Sequence, residues 1–236
     1  MKIPILMYHS ISDGIHPLSV SLNNFEKQMK FMFNNGYKTI NFKDLYRIAD
    51  KSYNKYFIVT FDDGYEDIYL NALPILKKYN FISACFFVSN YIGKYNIWDE
   101  SRKDFIKLSL MNIDQVKNWN NQGMQVGLHT AIHKNLNKIN YNEKLQQIEL
   151  PKKIFSENLS INVNSFSYPF GRYDDESFQI VKKNYNFAVT TKRSRYIKDK
   201  FDLCKLPRIP VNKSDGMFKF YLKIKTIYED IKYNEN

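Results

Sequence analysis

The sequence predicts an α/β fold with a barrel-like sheet of parallel strands. Two observations carry that expectation: seven short segments rich in β-branched and aromatic residues recur along the chain, and stretches with apolar residues at helical spacing separate them. A third bounds it: 236 residues, 44% hydrophobic and 25% charged, suffice for one substantial core, so a single domain over 1–236 accounts for the length.

In chain order, strands are expected at 3–10, 37–41, 56–61, 83–88, 125–129, 165–168 and 187–191. Between the first two, 24–35 carries Phe25, Met29, Met32 and Phe33 at helical spacing and stops at Gly36. Similar patterns mark helices at 67–79, 114–122, 142–158 and 175–184. Alternation of this kind implies right-handed crossovers and a site at the carboxyl ends of the strands. Residues 90–111 lack periodicity and read as a loop insertion over one rim. A last helix at about 216–232 places Tyr221, Ile224, Tyr228 and Ile231 on one face, with Lys219, Lys223, Glu229 and Lys232 elsewhere. Packing on the barrel is expected for it ahead of a membrane surface.

Composition narrows the function classes. No stretch reaches the ~20 apolar residues of a membrane-spanning helix, and the apolar opening is too short for a signal peptide, so a cytoplasmic protein is expected. Cys85 and Cys204 have no C-x-x-C partner, which argues against a disulfide framework or a thiolate zinc site. The net charge of +11 suits an anionic membrane surface, nucleic acid or an acidic substrate. Its lysines are scattered and no nucleic-acid motif accompanies them, so no nucleic-acid partner is expected.

Four segments hold chemistry-bearing residues at strand ends. Thr60-Phe61-Asp62-Asp63-Gly64 sets two adjacent carboxylates after an apolar strand; one can ligate a metal while the other accepts a proton. Alone, the same residues are equally a turn. His129-Thr130-Ala131-Ile132-His133 spaces two imidazoles to share a divalent ion on one side of a helical turn. With one Asp they leave open coordination positions, as catalytic zinc sites do. Ser165 to Gly171 ends a strand in a Pro- and Gly-bearing turn that lets backbone approach a ligand. His9 ends the first strand; a lone His near apolar residues is as well explained by packing.

Together and in this order, the segments resemble the polysaccharide deacetylase family, also called the NodB-homology domain, from about Pro4 to about Val211. Tyr168-Pro169-Phe170-Gly171 matches its third motif, and Phe187 to Thr191 the strand that follows. The resemblance implies a distorted (β/α)7-type barrel with one divalent metal, usually zinc, with cobalt, nickel or iron(II) as alternatives. Asp63, His129 and His133 match its metal ligands, Asp62 the general base and the Phe170 N–H the oxyanion donor. The chain departs from the common pattern in two places: Ser167 stands where many members have Arg, and Leu206-Pro207-Arg208 stands where they carry a late His. It resembles instead the permuted branch of poly-N-acetylglucosamine type, in which Tyr8-His9-Ser10-Ile11 supplies the acid, His9, and Arg208 becomes the partner of Asp62.

The resemblance implies removal of an N-acyl group, N-acetyl first, from an amino sugar of a bacterial surface polysaccharide, lipopolysaccharide or precursor. A deformylase or deacetylase of a small or lipid-linked glycoside and a non-catalytic sugar-binding module are the alternatives. Tyr65, Tyr168, Tyr173 and Trp98 lie near the motifs and are candidate sugar contacts. The basic charge and the C-terminal helix agree with peripheral contact at the inner face of an anionic membrane.

Overall fold

The computed structural model describes residues 2–48, 55–226 and 228–232. Eight strands build the main sheet: β1 (Ile5–Tyr8), β2 (Tyr37–Thr39), β3 (Lys55–Phe61), β4 (Ala84–Phe87), β5 (Gln125–Leu128), β6 (Ser165–Ser167), β7 (Phe187–Arg193) and β8 (Leu206–Pro210). All are paired in parallel, in the order β1-β8-β7-β6-β5-β4-β3, and β3 returns to β1 to close a seven-strand barrel. β2 lies outside that ring, paired to the first half of β3 from Tyr37 opposite Lys55 to Thr39 opposite Phe57.

The expected number of strands is therefore right and its membership is not. The 37–41 segment is the accessory strand, and the seventh place belongs to Leu206–Pro210, which the sequence hides behind two prolines. Proline cannot donate to a ladder. Here Pro207 falls between Leu206 and Arg208, where the ladder to β7 shifts register, and Pro210 is the last residue paired to β1, opposite Met7, so each sits at an irregularity or an end. The expected strand at 3–10 is also broken, at Pro4 and His9: Lys2–Ile3 pairs antiparallel with Tyr196–Ile197, and Ser10–Ile11 pairs with Ser19–Val20.

Strand periodicity divides the core in two. Leu6, Tyr8, Val59, Phe61, Cys85, Phe87, Val126, Leu128 and Phe166 pack with the helices, whereas Ile5, Ile58, Ala84, Phe86, Val189 and Leu206 form a separate apolar cluster with Phe42 and Leu45. The second set alternates with the first, so it fills the barrel interior. Continuing that alternation toward the carboxyl ends brings Thr60, Asp62, His129, Ser167 and Arg208 inward. The interior is apolar at its base and polar at the rim.

Helices α1 (Leu22–Asn34), α2 (Leu73–Lys78), α3 (Ile113–Asn121), α4 (Tyr141–Leu159) and α5 (Asp175–Asn184) follow strands as expected. Each of α3, α4 and α5 starts with a capping box, from Asn112, Asn140 and Asp174, which satisfies otherwise orphaned N–H groups. α1 buries Phe25, Met29 and Met32, but Phe33, expected on the same face, is exposed. A π-helical turn at Ile68–Ala72 precedes α2, directly after the Asp62-Asp63 turn.

The single C-terminal helix expected at about 216–232 is two, α6 (Met217–Lys225) and α7 (Tyr228–Lys232). Its expected faces also change. Lys223, placed by periodicity on the polar side, is fully buried, donating to Pro210 O at 2.6 Å and Asp215 at 2.5 Å, with Glu229 at 3.8 Å. Ile224 is buried, Tyr221 is exposed, and the Ile231 side chain lies outside the described residues. α6 packs on α1 through Phe31 against Phe220 and Tyr221. Pairing with carboxylates lets a lysine sit inside, which amphipathicity alone does not foresee. Both cysteines are buried and free, and no described helix is long and apolar enough to cross a membrane.

Candidate active site

The carboxyl ends of β1, β3, β5, β6 and β7 converge on one cavity of about 280 Å³, lined by His9, Asp62, Asp63, His129, His133, Phe170 and Thr191 among others. The turn after β3 is built by two left-handed residues in succession, Asp63 (φ 73°) and Gly64 (φ 77°). A Cβ at Gly64 would lie 2.6 Å from a ring carbon of Phe87 as well as being strained. This tight turn aims the two adjacent carboxylates differently: Asp62 toward the barrel interior, Asp63 toward the histidines.

His129 and His133 do not sit on a helical turn. His129 follows β5, and Thr130 (φ 67°) and His133 (φ 59°) are left-handed, so an irregular turn, not 3.6-residue periodicity, brings the rings together. That turn is tied down where Ser89 N–H donates to Thr130 O, Asn90 N–H to Ala131 O, and Ile132 N–H to Gln147 of α4. Of the seven described non-glycine residues with positive φ, Asp63, Thr130, His133 and Phe170 are all here. Each such residue costs about 1–2 kcal/mol, a concentration of strain that surrounding packing must hold.

Asp63 Oδ1 lies 3.6 Å from His129 Nε2 and 3.4 Å from His133 Nε2, and the three candidate ligand atoms fall within 4.8 Å of one another. His129 Nδ1 is 2.7 Å from Ser167 O; donation there leaves Nε2 as the free lone pair. Asp63 Oδ1 is buried with no hydrogen-bond partner. Burial, and then the charge of Asp62, push the Asp63 carboxyl well above its usual range, although a hydrogen bond from Tyr65 opposes this. Burial lowers both histidines, keeping them neutral. A buried unpaired carboxylate oxygen facing two neutral imidazole nitrogens fits a divalent cation.

Arg208 is fully buried and places Nη1 2.7 Å and Nη2 2.6 Å from the two oxygens of Asp62. Its remaining donors reach Thr190 O (2.9 Å), Thr60 Oγ1 (3.2 Å) and Ser167 Oγ (3.2 Å). The small Ser167 thus leaves room for a guanidinium arriving from β8. Burial by itself would raise the Asp62 pKa, but the charge and hydrogen bonds of Arg208 more than offset it and hold the carboxyl well below the usual range. His9, across the cavity, is pushed down to about 4 by burial, with Asp62 opposing and Arg208 and His129 adding to the effect.

Phe170 is left-handed (φ 59°) and its ring, half exposed at the mouth, packs edge-on against His133. Gly171 after it has φ 67°, and a Cβ there would fall 2.7 Å from the Thr191 backbone nitrogen. Trp98 stacks on His133 at 4.8 Å and lines the cavity. The other three aromatic candidates do not line it. Tyr65 is buried beneath Asp63, and Tyr168 is buried with its hydroxyl donating to Cys204 O. Tyr173 stacks on Tyr168 beside a separate hollow. Sequence proximity to a motif did not translate into facing the cavity because the turns beyond the strand ends direct these rings into neighbouring packing. Four titratable lining residues have no motif to mark them: His16, Asp99, Arg102 and Asp104. With His16 included, all four histidines of the chain line this one cavity.

The family model for polysaccharide deacetylases matches residues 49–187, which include both aspartates, His129, His133 and Phe170. The chain belongs to the polysaccharide deacetylase family. His9 and Arg208 fall outside the matched stretch of this deacetylase domain. The chain is similar to a poly-beta-1,6-N-acetyl-D-glucosamine N-deacetylase of Staphylococcus aureus, at 27% identity over 92% of this chain and 76% of the relative. It is 34% identical, over 80% of its length, to a Bacillus subtilis protein provisionally named a polysaccharide deacetylase, of which it spans 64%. Among solved structures, a Bacillus cereus polysaccharide deacetylase superposes with a TM-score of 0.80 at 29% identity, over 95% of this chain and 69% of that one. A Streptococcus pyogenes deacetylase in complex with acetate gives 0.79 at 25% identity, over 95% and 98%.

Proposed function

We propose that this deacetylase-family protein hydrolyses the N-acetyl amide of an amino sugar in a bacterial surface polysaccharide or its precursor. The observation that carries the reading is the joining, in one cavity, of the Asp63-His129-His133 cluster with an arginine-clamped Asp62 and with His9 facing it. The name of the Staphylococcus aureus relative and the acetate in the Streptococcus pyogenes structure support acetyl as the acyl group.

A divalent cation, zinc first, held by Asp63, His129 and His133 supplies Lewis acidity toward the amide carbonyl and the attacking water when bound. Asp62, kept ionised by Arg208, accepts a proton from that water. The Phe170 N–H donates to the developing oxyanion. An amine leaves poorly unless protonated, so His9 delivers a proton to nitrogen. Because its low pKa keeps the ring neutral at rest, the proton it delivers is one taken up within the turnover, from the water by way of Asp62. Trp98 offers a ring face for a sugar.

The test is metal analysis of the purified protein combined with release of acetate or formate from a panel of N-acylated amino sugars. Acetate from N-acetylglucosamine oligomers by the metal-loaded protein is expected. Formate release without acetate would replace the acyl assignment, and turnover of no member of the panel would overturn the reading.

A further inference from the structure

Asp62, Asp63, His129, His133 and His9 occupy one side of the cavity, and a second wall faces them. That wall is made by the turn His16-Pro17-Leu18 and, facing it, the segment carrying Asp99, Arg102 and Asp104. His16 sits between the two short paired strands Ser10–Ile11 and Ser19–Val20, which are braced by Ser10, Ser19 and the carboxylate of Asp67. Its backbone oxygen accepts from Ser19 N–H at 3.0 Å, and its ring lies against Tyr65 at 6.1 Å. The side chain is 8% exposed, yet it lines the cavity. Leu18 N–H donates to His16 Nδ1 at 3.3 Å, which fixes the tautomer: the proton is on Nε2. Among the described residues, the ring's hydrogen bond to the protein is the one at Nδ1, and Nε2 makes none. A nine-tenths buried ring with one nitrogen anchored and the other left as a donor is built for a ligand.

The opposite wall supplies the complement. Arg102 and Asp104 satisfy each other through a bidentate pair at 3.1 and 3.0 Å. Asp99 has no such ion pair among the described residues; its charge bears on His16 more than any other does, and also on Asp63 and Tyr65. It lines the same cavity as His16 and the Asp63-His129-His133 cluster. The 97–106 segment that carries it is not a free flap, since Asn96 donates to Ile106 O and accepts from Leu108 N–H, and Tyr95 and Tyr65 form bridges to Ser109 and Leu110.

We infer that His16 and Asp99 form the subsite for the sugar ring bearing the acyl group, His16 Nε2–H donating to one hydroxyl and the Asp99 carboxylate accepting from another. An anchored donor and an unpaired acceptor lining one cavity suit neighbouring hydroxyls of a pyranose, and Trp98, next to Asp99, supplies the apolar face. The pair discriminates amino sugars from other acyl compounds, because groups left unpaired in a buried site penalise a substrate that lacks the hydroxyls. This inference rests on the deacetylase reading above.

The experiment measures kcat and KM of the zinc-loaded wild-type, His16→Ala, His16→Gln and Asp99→Asn proteins on two substrates, an N-acetylglucosamine oligomer and a small aryl acetate without sugar hydroxyls. In His16→Ala and Asp99→Asn the ratio of kcat/KM for the oligomer to that for the aryl acetate should fall at least about fivefold, chiefly through KM, the scale of one lost hydrogen bond. His16→Gln, whose amide nitrogen can stand near Nε2, should recover most of the ratio. Equal loss on both substrates would make His16 and Asp99 structural and overturn the inference, as would an unchanged ratio. Wild-type turnover of the aryl acetate with none of the oligomer would remove the deacetylase reading instead, and the subsite with it.

Discussion

Arg208→Met isolates the contribution of one guanidinium. In the native protein Arg208 makes two bonds to Asp62 and one each to Thr60, Ser167 and Thr190, all buried. Methionine fills much of the same volume but leaves Asp62 enclosed without a counter-charge, a loss of about 3–5 kcal/mol by comparison with other buried pairs. For a chain of this size each kcal/mol moves Tm by about 2–4 °C, so a fall of about 6–20 °C is expected. The pH dependence has a definite sign. Asp62 is depressed in the folded state, so the pair's contribution is fully present above the unfolded carboxylate pKa, near ~4, and is lost as pH falls through the lower folded value. The stability gap between wild type and variant should therefore narrow under acid. With Arg208 gone, burial dominates and the Asp62 pKa rises, so the acid limb of the activity profile should move to higher pH. Urea denaturation at several pH values and acetate release read these effects. Adding Asp62→Asn to Arg208→Met removes the stranded charge and should restore stability, while loss of the carboxylate abolishes the remaining activity. A single variant destabilised by less than about 1 kcal/mol, or a double variant no more stable than the single, would refute the reasoning.

Stripping metal with a chelator should abolish acetate release and lower Tm, both recovered on adding zinc, because the cluster is satisfied only when a cation is bound; full activity in protein shown by elemental analysis to be metal-free would contradict this. Asp63→Asn and His129→Ala should each leave the protein folded with little bound metal. His9→Ala should retain metal while kcat falls roughly 10²–10⁴-fold, and an unchanged kcat would remove His9 from the reaction. Gly171→Ala forces a Cβ to 2.7 Å from the Thr191 backbone nitrogen at φ 67°, so it should cost more than about 1 kcal/mol in urea melts and disturb the Phe170 turn; a neutral substitution would show that the backbone there yields.

The sequence by itself determined most of the fold and the residues of the candidate metal site. Six of the seven barrel strands follow from apolar runs bounded by turn residues, and the helices between them from 3.6-residue spacing and caps such as Asn112 and Asn140. Such signals are local, carried by neighbours in the chain. Adjacent Asp62 and Asp63, and His129 with His133, were legible for the same reason, although the backbone that joins the histidines is an irregular turn. Tertiary structure decided what depends on distant partners. The closing strand Leu206–Pro210 forms because β1 and β7 flank it, despite its prolines. Lys223 lies inside because Asp215 and Glu229 meet it there. Which aromatic residues face the cavity, and that His16 and Asp99 do, is set by how strand ends and two loops pack around the rim. Such juxtapositions join residues far apart in the chain, and no periodicity records them.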